Sequence, residues 1–379
     1  VTGQSTFIFA GGGTGGHLFP GIAVAEELQR QLPDPRIVFI GSERSTEQQI
    51  IARYQFEHHA LPTKTSGSLW QRPCTFCVNN LKAYRIAGKL LQAEQPRAVI
   101  GLGGFASAPV VLAAARSGIR TLLLEQNAIP GRATRWLRRF ANQVCLTFPE
   151  SARYLANEKN LYLTGNPLRQ TISSWHQHRF DEAHRVVAAP HFEIAQNKPQ
   201  TLLILGGSQG AHAMNRAVLQ LMPALKQDLA CWEIVHQTGY LDYEWVQQRY
   251  QQMAIDVRVE PFLHDLDALY PQAELAITRA GATTLTELAC VGCPAILMPY
   301  PHARDQHQHA NARSFAGAGA CWIVEQQGDE KQTADQLQQH LQILLCDQKQ
   351  RETMRLNMLQ LARPLAAREV CNLLCDKAA

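Results

Sequence analysis

The sequence predicts an α/β protein of two Rossmann-like, doubly wound parallel-sheet domains facing each other across a deep cleft. Three observations predict it. Short apolar runs alternate with amphipathic stretches at helical spacing, the pattern of βα units. The alternation starts twice, each time with an apolar run and a glycine-rich turn, at FIFAGGGTGG (7–16) and LLILGGSQGA (202–211). The chain has 379 residues, 46% of them hydrophobic, which is material for two cores of ordinary size.

The elements follow in order. STFIFA (5–10) is the first strand, and 17–31 is a helix with Leu18, Ile22, Ala25 and Leu28 on one face. RIVFIG (36–41), AVIGLG (98–103), TLLLEQ (121–126) and QVCLTF (143–148) read as buried strands, with helices at 79–95 and 108–117. LYLTGNPLR (161–169) closes the first series. The polar stretch 174–199, with four histidines and little periodicity, reads as a connection or surface excursion. The second series runs through 201–225 (strand, turn, helix) and the strands CWEIVHQTG (231–239), DVRVEPF (256–262), LAITRAG (275–281), PAILMPY (294–300) and ACWIVE (320–325). Sheets of this kind bind ligands outside the carboxyl ends of their strands.

Composition narrows the function classes. A net charge of +4 is mild; it lacks the concentrated Lys/Arg footprint of a nucleic-acid binder and suits contact with an anionic membrane face. No run approaches the ~18–20 apolar residues of a membrane span, and no secretory leader pattern opens the sequence, so a cytoplasmic protein is expected. The ten cysteines are expected as reduced thiols. Cys74/Cys77 and Cys290/Cys293 are too far apart in sequence to suggest a shared zinc site. Cys371 and Cys375 read as core thiols on a helix.

The glycine loops carry the chemistry. Gly11, Gly13 and Gly16 satisfy G-x-G-x-x-G, which delivers a helix N-terminus to a pyrophosphate. A dinucleotide site also wants an acid about twenty residues on; Glu43 is the nearest candidate and sits late. His17 and Pro20 open the helix where that fingerprint continues with small apolar residues. The second turn, with Gly206, Gly207, Ser208 and Gly210, offers N–H groups and a hydroxyl to an anion such as a diphosphate, or merely links strand and helix. In RAGATTLTELACVGCP (279–294), Ala282, Thr283 and Thr284 stand at a helix start. Thr284 and Glu287 have capping-box spacing; alternatively Glu287 accepts from a ribose diol. The loop PYPHARDQHQHANA (299–312) offers Asp305, Gln306, His307 and Gln308 to sugar hydroxyls.

Together these segments resemble the MurG family, bacterial transferases that convert lipid I to lipid II in peptidoglycan synthesis. The resemblance rests on GGTGGHLFPGIAVAEEL, GLGGFASAPVVLAA, LLLEQNAIPGRATRWL, GNPLR, LGGSQGAHAMN and RAGATTLTELACVGCPAILMPYPHARDQHQHANA with the following AGAG, in the family's order. It implies a GT-B fold with domains at 1–165 (acceptor lipid and membrane side) and 166–362 (donor side), and a last helix, 363–379, crossing back to the first. It implies UDP-N-acetylglucosamine as donor, undecaprenyl-diphospho-N-acetylmuramoyl-pentapeptide as acceptor, and a β(1→4) linkage formed with inversion. No redox cofactor and no metal are expected.

Carried over residue by residue, the resemblance puts donor contacts at Thr14, Gly15 and Gly16, at Asn127 (sugar), and at Arg169 and Ser208 (diphosphate). Leu263 is placed against uracil through its backbone. Ala282, Thr283, Thr284, Leu285, Thr286 and Glu287 hold ribose and phosphate, and Gln308 reaches the sugar with His307 beside it. Phe105 stands where the family often has Tyr, and Leu124 where it commonly has His. An inverting transfer needs a base for the acceptor hydroxyl. His17, an imidazole and so of the side-chain class suited to proton transfer near neutral pH, is the first choice, unless it only shapes the loop; Glu125 is the second, as base or as support for an oxocarbenium-like centre.

The lipid acceptor requires a peripheral seat on the cytoplasmic face of the inner membrane, where other cell-wall synthesis proteins are expected partners. Two segments mix aromatics with cations, as interfaces do. In 66–89 these are Leu69, Trp70, Phe76, Val78, Leu81 and Tyr84 with Arg72, Lys82, Arg85 and Lys89. In 132–141, four arginines surround Trp136 and Leu137. Three other readings stay open. They are another UDP-sugar enzyme of the same fold, an epimerase included, a nicotinamide oxidoreductase, and a nucleotide-sugar binding protein without turnover.

Overall fold

The computed structural model describes residues 4–12, 15–62, 73–155, 158–188, 200–207, 210–326 and 328–375, with the side chains of 73–77 and 184–188 left out. Two compact units emerge: Val1–Arg169 with Arg363–Ala379, and Gln170–Ala362.

Unit 1 holds a seven-stranded sheet of β1 (Thr6–Gly11), β2 (Arg36–Ser42), β3 (Glu57–Leu61), β4 (Ala98–Gly103), β5 (Arg120–Glu125), β6 (Gln143–Leu146) and β7 (Leu161–Tyr162). The order is β3-β2-β1-β4-β5-β6-β7, with every pairing parallel. The helices are α1 (Gly15–Gln31), α2 (Ser45–Arg53), α3 (Pro73–Glu94), α4 (Ser107–Arg116) and α5 (Arg132–Leu137). The strands read as continuous apolar runs because both faces are covered. Phe7 and Phe9 pack with Leu18 and Ile22 of α1 and with Val370 and Leu374 of the helix Ala366–Cys375. Their neighbours Ile8 and Ala10 pack on the other face with Ala83, Ala87, Val110 and Val111 of α3 and α4.

Unit 2 begins with α6 (Gln170–Ser173) and α7 (Trp175–Ala188). Its sheet is β8 (Gln200–Leu205), β9 (Trp232–Gln237), β10 (Arg258–Glu260), β11 (Ala273–Thr278), β12 (Ala295–Leu297) and β13 (Cys321–Ile323), ordered β10-β9-β8-β11-β12-β13 and parallel throughout. Its other helices are α8 (His212–Leu221), α9 (Tyr243–Met253), α10 (Leu266–Leu269), α11 (Ala282–Val291), α12 (His307–Gly317), α13 (Glu330–Cys346) and α14 (Gln348–Leu361). Both sheets are doubly wound, and their strand order reverses between β1 and β4 and between β8 and β11. Those reversals are where such sheets take ligands.

Two expectations need correction. The stretch 174–199 is no mere excursion: its first part is helix α7. The helix is held by polar groups, so it lacks the apolar stripe that periodicity detects. Arg179 is buried and its Nε donates to the Val291 carbonyl, 3.2 Å away, at the end of α11. His176 Nε2 donates to the Leu359 carbonyl at 3.1 Å. Residues 189–199 lie outside the described residues. The second correction is β3, EHHAL, which was not foreseen. As an edge strand it is polar and partly exposed, the composition that guards edges against further pairing.

Candidate active site

The first glycine loop leaves β1 at Gly11, whose φ of +119° only glycine adopts readily. A side chain there would run into the Gly103 carbonyl, so the ends of β1 and β4 are pressed together. Under the loop lies Glu47 of α2, 1% exposed; it accepts from the Ser42 N–H (2.9 Å) and hydroxyl (2.7 Å). Its carboxylate fills the space a side chain at Gly12 would need. Thr14 lies outside the described residues. Gly15 and Gly16 open α1.

His17 is the third residue of α1 and half-buried. Its ring lies beside Gly103: a Cβ built there would sit 3.4 Å from Nδ1 and Cε1. Its Nδ1 is 3.0 Å from Oε1 of Gln126. Gln126, just past β5, is buried, and its Nε2 donates to the Leu102 carbonyl at 3.5 Å.

Glu125 is 3% exposed. One oxygen accepts the Asn127 N–H and the other the Gly131 N–H, each at 3.0 Å. Both are turned on the backbone of their own loop. The Asn127 carbonyl in turn accepts from the Ser151 hydroxyl at 3.1 Å, so Asn127 is half-buried on a backbone held at both ends. Arg169, the last residue before unit 2, places its guanidinium over the Phe19 ring, 5.0 Å from the centroid.

In unit 2, Ser208 lies outside the described residues. The loop around it differs from the expected row of anion-facing N–H groups. The Gly206 N–H donates to the Gln237 carbonyl at 3.0 Å, and the Gly210 N–H to the Gly207 carbonyl at 3.1 Å. Gly210 has φ +76°, and a side chain there would press on the Thr238 carbonyl. Behind the loop runs a buried polar network. Asn215 of α8 donates to the Thr238 carbonyl (3.0 Å) and to Asp242 (2.7 Å). His236 donates from Nε2 to Asn215 Oδ1 (3.1 Å), and its Nδ1 accepts from the Tyr250 hydroxyl (2.9 Å). Burial pulls the His236 pKa down to about 3, so the ring is neutral.

Helix α11 starts at the end of β11. Its N-cap is Gly281, and no side chain caps it, so the Thr284–Glu287 capping box does not form. Ala282, Thr283 and Thr284 form the first turn, with both threonines half-buried. Leu285 is fully buried and its N–H is spent on the Gly281 carbonyl at 3.0 Å. Thr286 turns its hydroxyl back to the Ala282 and Thr283 carbonyls, each at 2.9 Å. Leu285 and Thr286 are thus both tied into the helix's own hydrogen bonding. Glu287 is 5% exposed, and its Oε2 accepts from the Tyr270 hydroxyl at 2.9 Å. The Leu263 N–H donates to Gln237 Oε1 at 3.0 Å.

Gln308 sits in the first turn of α12, and its Oε1 accepts the Tyr300 N–H at 2.9 Å. His307 Nδ1 donates to the Arg304 carbonyl at 2.7 Å. Just before them Asp305 and Gln306 both take left-handed φ values, +52° and +53°, a conformation that costs about 1–3 kcal/mol per residue. Arg279 braces this region by donating to the carbonyls of Met298 (2.9 Å) and Pro299 (3.4 Å) and to Gln326 (3.0 Å). Burial pulls its pKa down to about 10. Asn311 donates to the Ala280 carbonyl at 3.1 Å. Arg279, Gln237, Asn215, His236, Tyr270 and Asn311 were not foreseen as site residues. The available signal was a charged or amide group inside an apolar run, as in EIVHQTG and AITRAG.

Cys290 and Cys293 are buried, and burial pushes the Cys293 thiol up to about 12, the state of an inert core thiol. Cys371 is likewise buried in the core, while Cys375 is half-buried. Glu57, His59 and Glu94 are close enough to share a cation. Arg36 already serves both carboxylates, at 2.9 Å and 3.1 Å.

In the cation-rich segments, Leu69, Trp70 and Arg72 lie outside the described residues, as does the Phe76 side chain. Val78 and Leu81 of α3 are exposed, and so are Trp136 and Phe140, packed edge to face at 5.4 Å. Leu137, expected with them, is core. Among the described residues no helix is long and apolar enough to cross a membrane.

Comparison with known proteins places this arrangement. The glycosyltransferase family 28 N-terminal domain matches residues 7–146 and its C-terminal domain matches 201–370. A UDP-N-acetylglucosamine–N-acetylmuramyl-(pentapeptide) pyrophosphoryl-undecaprenol N-acetylglucosamine transferase of Desulfotalea psychrophila is 36% identical, covering 97% of this chain and 96% of that one. The enzyme of the same name from Trichlorobacter lovleyi is 40% identical over 84% and 85%. The crystal structure of Acinetobacter baumannii MurG superposes with a TM-score of 0.75 at 29% identity, covering 98% and 99%. A UDP-GlcNAc 2-epimerase from Neisseria meningitidis reaches 0.67 at 13% identity over 98% and 99%, a likeness of fold alone.

Proposed function

The chain belongs to glycosyltransferase family 28 and, within it, to the MurG family, and from that membership we propose its reaction and the residues that perform it. The protein is an inverting hexosyltransferase that moves N-acetylglucosamine from UDP-N-acetylglucosamine to the C4 hydroxyl of lipid-linked N-acetylmuramoyl-pentapeptide. Identity of 36% along nearly the whole of both chains carries this reading. The likeness to epimerases supplies no comparable support.

We assign the base to His17, which is half-buried on a glycine-lined loop. The hydroxyl oxygen attacks the anomeric carbon as its proton passes to the imidazole, and the bond to the diphosphate breaks with its electron pair leaving on UDP. Glu125 is better placed to clamp loop 126–131, and so to hold Asn127 for the sugar, than to take a proton. Growing charge on the diphosphate is met by Arg169, by Ser208 and by the N-terminus of α11 at Ala282–Thr284. Glu287 holds the ribose while Tyr270 holds Glu287. Leu263 has spent its N–H on Gln237, so its carbonyl is the group left for uracil. Gln308, tied to the Tyr300 backbone, is presented to the sugar.

Unit 1 takes the acceptor and sits on the cytoplasmic face of the inner membrane. Trp136 and Phe140 with Arg132, Arg135 and Arg139, and Val78 and Leu81 with Lys82 and Arg85, suit an anionic interface. The test of the reaction is transfer of labelled sugar from UDP-N-acetylglucosamine to a short-chain lipid I analogue, with EDTA present. Labelled disaccharide-lipid is the expected product. Donor binding without transfer would overturn the acceptor assignment.

A further inference from the structure

We propose that Gln126 is a positioning residue that locks His17 in its Nδ1–H form and leaves Nε2 as the basic nitrogen. The tautomer follows from geometry alone; its consequence for the reaction rests on the assignment of His17 as base.

A glutamine amide can sit two ways round, and its surroundings decide which. Gln126 is 3% exposed, so each of its polar atoms needs a protein partner. Its nitrogen faces the Leu102 carbonyl at 3.5 Å, and its oxygen faces His17 Nδ1 at 3.0 Å. Turned over, the amide would set its oxygen against the Leu102 oxygen, two acceptors with no proton between them. The observed orientation therefore holds, and Oε1 is an acceptor. An amide oxygen has no proton to give, so Nδ1 must carry one. Neutral imidazole in water prefers its proton on Nε2; Gln126 reverses that preference.

The consequence is directional. With Nδ1 protonated, the lone pair sits on Nε2, the nitrogen farther from the helix backbone. In the transfer step the acceptor hydroxyl gives its proton to Nε2, while Nδ1 keeps its proton on Gln126 throughout. The imidazolium afterwards releases the Nε2 proton to water. An orienting partner of this kind governs how often the base is in its working form. A neutral amide does so without a second buried charge beside Glu125. Gly103 leaves room for the ring: a Cβ built there would sit 3.4 Å from Nδ1 and Cε1.

The test reads the tautomer directly in the full chain. Protein labelled with ¹⁵N-histidine is observed by long-range ¹H–¹⁵N correlation at a pH where His17 is neutral, its signals identified by their loss in His17→Asn. Wild-type His17 is expected to show a protonated, pyrrole-type Nδ1 and a pyridine-type Nε2. Gln126→Glu keeps an acceptor oxygen and should keep that signature. Gln126→Met should move His17 toward Nε2–H and lower kcat by about tenfold to a hundredfold, with KM for UDP-N-acetylglucosamine unchanged. A wild-type His17 protonated on Nε2 overturns the proposal, whatever the variants do. So does a Gln126→Met protein whose tautomer shifts while kcat stays put. If the tautomers behave as expected but His17→Ala retains full kcat, the base assignment falls and the role of Gln126 in fixing the ring stands.

Discussion

Replacing His236 should flatten the acid side of the stability curve of unit 2. His236 is fully buried, and burial pulls its pKa from 6.5 to about 3. The unfolded chain binds a proton at this position below its ordinary pKa, whereas the folded chain does not until about pH 3. Stability therefore rises with pH across that window and is lost as pH falls from about 6.5 toward 3. With these two values, the loss between pH 7 and pH 5 is about 2 kcal/mol, at 1.36 kcal/mol per pH unit once titration is under way. Lowered carboxylate pKa values, such as that of Asp242, act at lower pH and leave this interval to histidines. The variant is His236→Gln, which retains a donor for Asn215. Some stability is lost at every pH through poorer packing, so the slope is the diagnostic. Hydrogen exchange of β9 amides at pH 5, 6 and 7 reports opening of unit 2 without requiring the whole chain to unfold as one. A wild-type loss near 2 kcal/mol that is at least halved in His236→Gln is expected. Equal slopes would mean that the ring is solvated or charged in the fold, and would refute the buried network behind the second glycine loop.

Other consequences follow from the same geometry. Glu125→Ala removes the acceptor of the Asn127 and Gly131 N–H groups; at about 1.5–3 kcal/mol for each hydrogen bond to a charged group, it should cost about 3–6 kcal/mol in urea unfolding, and a cost under about 1 kcal/mol would show that the clamp is not formed. His17→Ala should lower kcat by about 10²–10⁴ while UDP-N-acetylglucosamine still binds in calorimetry. Tyr270→Phe removes the hydroxyl that holds Glu287 and should raise KM for the donor about tenfold, with kcat little changed, in initial-rate assays. Trp136→Glu with Phe140→Glu should reduce flotation with anionic liposomes and leave transfer to a detergent-soluble acceptor intact; unchanged flotation would take this surface out of the membrane reading.

Much of the fold was legible because its strands are buried on both faces. Phe7–Ala10 and Leu202–Leu205 are unbroken apolar runs, and the glycines that end them mark the points where strand order reverses. Edge strand β3 and helix α7 escaped for the converse reason. Their contacts are ion pairs and side-chain bonds to helix-end carbonyls, which leave no apolar period. In the site, motif spacing marked His17, Glu125 and Glu287 but not their partners. Gln126, Tyr270 and Gln237 differ from ordinary polar residues only through what they meet in space, and their partners lie up to 109 positions away.

The two units solve one problem in the same way. A loop at the carboxyl end of a parallel sheet has no ladder to hold it, yet a transition state rewards groups that need no rearrangement. In unit 1 a buried carboxylate, Glu125, fixes 126–131 from behind through two N–H groups, while Glu47 fills the space beneath Gly12. In unit 2 the same service comes from amides and a guanidinium: Asn215 on Thr238, Gln237 on Leu263, Arg279 on residues 298–299 and Asn311 on Ala280. Each brace faces backbone, so each is spent on position rather than on ligand. Replacing a brace should therefore loosen several contacts together, whereas replacing a contact residue should remove one.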